Sequence, residues 1–108
     1  MAYSPSRFIG PVSLTTSNTV LKTFTYKSII KSIFTANNYN GPIAFSLYLV
    51  PQGGTPSNGN RIFGDVLLAE NTSKSTETTL ILNAGDAIWG SANVTGGINI
   101  MVSGVEIL

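Results

Sequence analysis

The run Pro42-IAFSLYLV-Pro51 alternates strictly: Ile43, Phe45, Leu47 and Leu49 fall on one side of an extended chain, Ala44, Ser46, Tyr48 and Val50 on the other, and a proline closes each end. The same period of two recurs in runs of five to nine residues, broken by Gly, Pro and Asn clusters every ten or so residues, and no 3.6-residue period is sustained anywhere. A chain patterned this way makes strands. Besides 43–50, strands are expected at 12–16, 20–25, 28–36, 61–67, 77–82, 86–93 and 98–107. About eight short strands in a chain of 108 residues predict an all-β fold, a single antiparallel β-sandwich of jelly-roll-like build.

Two segments depart from simple alternation. The run SIIKSIFTA is apolar on both faces at Ile29, Ile30, Ile33 and Phe34, which predicts a central strand covered by the opposite sheet on one side and by something else, such as a partner subunit, on the other. Residues 1–11 place Pro5 and Pro11 around Arg7-Phe8-Ile9 and read as an extended N-terminal arm ahead of a sandwich domain at 12–108. Tyr3, Phe8 and Ile9 are costly to leave in water, so the arm is expected to dock on its own domain or on a neighbour. Turn-rich loops are expected at 37–41, 52–60 and 71–76.

The last 27 residues, LNAGDAIWGSANVTGGINIMVSGVEIL, carry the clearest rhythm. Read as a hairpin around Thr95-Gly96-Gly97, they set Val94 opposite Ile98, Ala92 opposite Ile100 and Gly90 opposite Val102 on a core face that includes Ile88. The other face then carries Trp89, Ser91 and Asn93 against Asn99, Met101 and Ser103. In that register Trp89 and Met101 are diagonal neighbours, either covered by the arm or a loop, or exposed as an interface anchor. Asp86 is expected to cap the turn at Asn83-Ala84-Gly85. The broken alternation at Gly104 suggests a β-bulge near the strand's end.

Composition removes most chemistries. Cysteine and histidine are absent, which excludes disulfides, thiolate or imidazole metal ligands, and the usual nucleophile–base pairs. The five acids stand apart in sequence, so a glycoside-hydrolase pair is not indicated, and no ladder of Asp and Asn suggests calcium. Asp65 and Glu70, either side of an apolar stretch, read as solvated strand-end charges. The loop GGTPSNGNR lacks the Gly-Lys-Ser/Thr ending and the following helix of a phosphate cradle. No cofactor and no enzymatic activity are expected.

Six basic residues against five acids leave a net charge of +1, with no basic footprint for nucleic acid. The N-terminus lacks a signal-peptide core, and no apolar run is long enough to span a membrane as a helix, so neither a cleaved export signal nor a membrane partner is expected. Ser, Thr and Asn supply 34 of the 108 residues. A surface so weakly charged offers little repulsion to close self-association, as suits an assembly component.

The run FSLYLVPQGGTPSNGNRI and the ending LNAGDAIWGSANVTGGINIMVSGVEI resemble a group of small β-sandwich virion structural proteins of tailed bacteriophages. The shared pattern is an early Leu-Thr-Thr, a strand ending LYLVP-x-GG, a Leu-x-AGD-x-I and a terminal SGVEI. Its counterparts here are Leu14-Thr15-Thr16, Leu47 to Pro51, Leu82 to Ile88, and Ser103 to Ile107. The entry Leu-x-x-Gly-Asp-x-Ile also looks like that of trimeric jelly-roll domains. These motifs mark strands and turns rather than a site.

The resemblance implies a non-enzymatic virion protein assembled in the host cytoplasm. Its leading role is capsid decoration or cement; its partners would be itself, as a dimer or trimer, and major capsid or other virion proteins. Tyr3, Phe8, Ile9, Trp89 and Met101 are the interface candidates. The alternative role is a receptor-binding or adaptor module of a tail, neck or head fibre, in which Tyr39, Asn58, Asn60 and Arg61 contact a host surface glycan.

Overall fold

The computed structural model describes residues 2–108; the first residue of the expected arm lies outside the described residues. Eight strands run in chain order: β1 Tyr3–Ser13, β2 Thr19–Thr23, β3 Ser28–Asn37, β4 Ile43–Val50, β5 Arg61–Leu68, β6 Ser73–Leu82, β7 Ala87–Ala92 and β8 Ile98–Ile107. They form two four-stranded antiparallel sheets, ordered β1-β8-β3-β6 and β2-β7-β4-β5. The first strand pairs with the last, the second with the seventh, the third with the sixth and the fourth with the fifth. This nested order is a jelly roll, so the expected all-β sandwich is the observed fold.

The core lies between the sheets. Ile43, Phe45 and Leu47 of β4 and Ile88 of β7 face Ile30 and Ile33 of β3 and Ile98, Ile100 and Val102 of β8, all buried. Phe8 meets Phe24 edge to face at 5.1 Å, and Phe45 meets Phe63 at 6.2 Å in the same geometry. Asn37 is the buried polar pin at one end. Its Nδ2 donates to the carbonyls of Gly41, Leu68 and Ala69 at 2.9, 3.0 and 3.2 Å, and its Oδ1 accepts the Tyr39 N–H at 2.8 Å.

Three expectations are corrected. Residues 3–13 are not an arm but the edge strand β1, paired with β8 from Tyr3 opposite Ile107 to Ser13 opposite Asn99. The expected boundary between 11 and 12 therefore falls inside a strand. Its prolines are tolerated because an edge strand has one unpaired side, and a register shift between Arg7 and Ile9 lets adjacent Phe8 and Ile9 both be buried.

β7 and β8 do not form a hairpin. They lie in opposite sheets, joined by an arch at 93–97 whose backbone bonds run elsewhere: Gly96 N–H to Leu14 O at 3.0 Å, and Asn38 N–H to Gly97 O at 3.0 Å. Gly96 does take the left-handed position, with φ of 81°. Ile88, Gly90 and Ala92 thus face Ile98, Ile100 and Val102 across the core instead of lying beside them. Period-two alternation is the same in both arrangements.

The bulge expected in β8 at Gly104 lies in its neighbours instead. β8 alternates without interruption, while β3 shifts register between Ile30 and Ser32. That shift turns both Ile30 and Ile33 inward and leaves Ile29 and Phe34 facing out, which accounts for the doubly apolar run. Gly104 permits it: a Cβ there would collide with the Ile29 carbonyl.

Candidate functional site

Among the described residues, no three acids cluster as metal ligands. A cleft of about 360 Å³ between the edges β1 and β2 is lined by Phe8, Ile9, Val12, Leu14, Val20 and Leu21, with no titratable group among its walls. The functional candidates are therefore the two outer sheet faces and the loops at the ends.

The outer face of the β1-β8-β3-β6 sheet is apolar across its width. Pro5, Val105, Ile29 and Ile81 stand side by side in one row that crosses all four strands. Tyr3 and Ile107 form a pair on one side of it, and Phe34 and Met101 form another further along β3 and β8. Tyr3 is 66% exposed, Ile81 57% and Phe34 38%. Between these groups runs a polar row of Arg7, Ser103, Ser32 and Glu77, with Arg7 and Glu77 on the opposite edge strands β1 and β6. A third charge, Lys31 of the β3 bulge, lies beside the row and donates to Thr79 Oγ1 at 3.4 Å.

The outer face of the other sheet carries a different chemistry. One row crosses it from Val20 through Trp89 and Tyr48 to Arg61, each directly opposite the next on adjacent strands. Beside it lie Ser91 and Ser46, paired across β7 and β4. Two register shifts in the β4–β5 pairing bulge β5, one at Gly64 and Asp65 and one at Ile62; at the first, Asp65 adopts φ of 47°. Its N–H donates to Ser46 Oγ at 3.0 Å, and its carboxylate lies 3.8 Å from the Arg61 guanidinium.

The sequence-derived candidates are redistributed by this fold. Phe8 and Ile9 are buried in their own core, 8% and 3% exposed, so they are not interface residues. Tyr3 and Met101 lie on the first outer face. Trp89 lies on the second, so the expected Trp89–Met101 neighbourhood does not exist; Met101 faces Phe34 instead.

The two loops expected to act together sit at opposite ends of β4, about 26 Å apart at ordinary strand rise, so Tyr39 cannot join Asn58, Asn60 and Arg61. Asn60 is committed inside its own loop, accepting from Ser57 N–H and donating to Thr55 O, both at 2.9 Å. Asn58 is exposed. Asp65 is solvated, its side chain 79% exposed, but it stands mid-strand in a bulge rather than at a strand end. Asp86 caps its turn as expected, accepting the Asn83 N–H at 2.9 Å. Tyr48, Ser46 and Gly64 were missed because alternation marks them only as the outward side of strands.

No family model matches this chain, and no curated protein matches it. Among solved structures it is similar to part of a chain in the structure of infectious bursal disease virus Gx strain, at 15% identity and a TM-score of 0.45 over 95% of this chain. A chain in the structure of the Gt strain of that virus gives 13% identity and a TM-score of 0.38 over 96%. This chain spans 28% of the length of each of them.

Proposed function

We propose that this chain is a non-enzymatic structural protein of a bacteriophage particle, one that coats or cements the head and associates with copies of itself through the outer face of the β1-β8-β3-β6 sheet. The observation that carries the reading is the row Pro5, Val105, Ile29 and Ile81, four apolar side chains abreast on the outside of a sheet. Such a contiguous patch is unfavourable in water and marks an interaction surface.

The occupant we assign to it is a second copy. A two-fold axis lying between the two faces and parallel to the strands sets β1 of one copy over β6 of the other. That operation brings Pro5 over Ile81 and Arg7 over Glu77, so both the apolar row and the charged row are self-complementary. Four strands of about ten residues make a footprint of roughly 600 Å² at ordinary spacing, near the ~800 Å² per partner of a standard interface. The near-neutral surface supports this packing, and the phage-protein resemblance supports the particle assignment.

The test is the mass in solution by light scattering, for the wild type and for a Phe34→Lys, Ile81→Lys double variant. The expected result is a wild-type oligomer and a folded monomeric variant. A wild type that stays monomeric at high concentration would overturn the self-association. Many copies per purified particle are expected of a coat or cement protein; a few copies at a tail tip would favour the adaptor role.

A further inference from the structure

We infer that the outer face of the β2-β7-β4-β5 sheet binds a neutral oligosaccharide, on a platform made by Trp89 and Tyr48 and edged by Arg61, Asp65 and Ser46. The inference is independent of the self-association above, since it uses the opposite face of the molecule.

Trp89 and Tyr48 are directly opposed on adjacent central strands and both stay partly exposed. With Val20 and Arg61 they form a row across four strands, about 14 Å long at ordinary strand spacing, longer than one pyranose ring. A sugar ring presents an apolar C–H face and a rim of hydroxyls. Aromatic rings supply the surface for the first, each with a polar tip that can bond the second.

The rim chemistry is provided by the Arg61–Asp65 pair. A guanidinium offers a planar fork of donors and a carboxylate offers acceptors, which together satisfy hydroxyls that both donate and accept. Their charges cancel, so the site has no net attraction for a phosphate or for nucleic acid, which favours a neutral ligand.

The pair is also held in place before any ligand arrives. Ser46, itself 5% exposed, accepts the Asp65 N–H at 3.0 Å and donates to Asp65 Oδ1 at 3.3 Å. The Arg61 guanidinium lies against Gly64, where a Cβ would stand 2.8 to 3.0 Å from Nε, Cζ and Nη2. A backbone conformation unusual for a non-glycine residue fixes Asp65, and a missing side chain makes room for Arg61. Such preorganisation lowers the ordering cost of binding.

Trp89 is the only tryptophan, so its emission reports this face alone. The experiment titrates the purified protein with free maltohexaose, cellohexaose, chitohexaose and mannohexaose, with polysialic acid as the charged comparison. A saturable change with at least one neutral hexasaccharide is expected, weakened about tenfold or more in Tyr48→Ala and Arg61→Ala. Circular dichroism checks that these variants are folded. The Phe34→Lys, Ile81→Lys variant is expected to bind like the wild type, which separates this site from the self-association face. No saturable change with any of the four sugars, undiminished binding in both folded variants, or a preference for polysialic acid would overturn the inference.

Discussion

Tyr48 stands directly opposite Trp89 in the β4–β7 pairing, on the outward side of strands whose inward neighbours, Leu47 and Ile88, are buried. The one tryptophan of the chain therefore belongs to a surface row and not to the core. Its tertiary partners are Val20 and Tyr48, which alternation places on the outward side without saying that they meet.

That placement predicts a small stability cost. Trp89→Ala is expected to lower the unfolding free energy by about 1 kcal/mol, the loss of partly exposed cross-strand contacts. Phe45→Ala, which empties a buried site, is expected to cost about 3–5 kcal/mol. Urea denaturation followed by circular dichroism measures both, and equal costs would place Trp89 in the core.

Removal of residues 1–11 is expected to unfold the protein rather than to release a folded core from its partners. The deletion takes away most of β1, exposes the flank of β8 and strips Phe8 and Ile9 from the core. Loss of those two side chains alone exceeds about 4 kcal/mol, much of the stability of a small domain. A truncated protein with a native-like thermal transition would contradict the integral-strand assignment.

Gly104→Ala is expected to destabilise by about 2–4 kcal/mol, because the new methyl meets the Ile29 carbonyl at the point where β3 bulges against β8. Gly53→Ala, in an open loop position at φ of 82°, has no neighbour to displace and is expected to cost only about 1 kcal/mol. Thermal melts of the two variants separate a steric clash from backbone preference.

Asn37→Ala is expected to cost about 2–4 kcal/mol by removing the donor to the Gly41, Leu68 and Ala69 carbonyls, of which Ala69 keeps its bond from Thr72 Oγ1, and the acceptor of the Tyr39 N–H. Asn37→Asp is expected to be worse at pH 7 than at pH 4. A carboxylate cannot donate to carbonyls, so the folded state favours the protonated acid. Its folded pKa then lies above the unfolded one, and stability falls as pH rises through that interval. A pH-independent melting difference between this variant and the wild type would refute the donor role.

By itself the sequence determined most of the strands and their two faces, because the period of two is local: Ile43, Phe45, Leu47 and Leu49 share one side wherever the strand is placed. It also showed an acid at a turn, Asp86, whose bond spans three residues. It did not reveal which strands pair. Ile88 and Ile100 face the core equally well side by side in a hairpin or across from one another in a sandwich, and only the bonds from the 93–97 arch to Leu14 and Asn38 choose the second. The edge strand β1 was hidden for a related reason, since an edge tolerates prolines that a central strand would not. The two outer faces follow from that pairing. Trp89, Tyr48 and Arg61 lie 13 to 41 residues apart in the chain, and only the lateral register of β7, β4 and β5 sets them abreast.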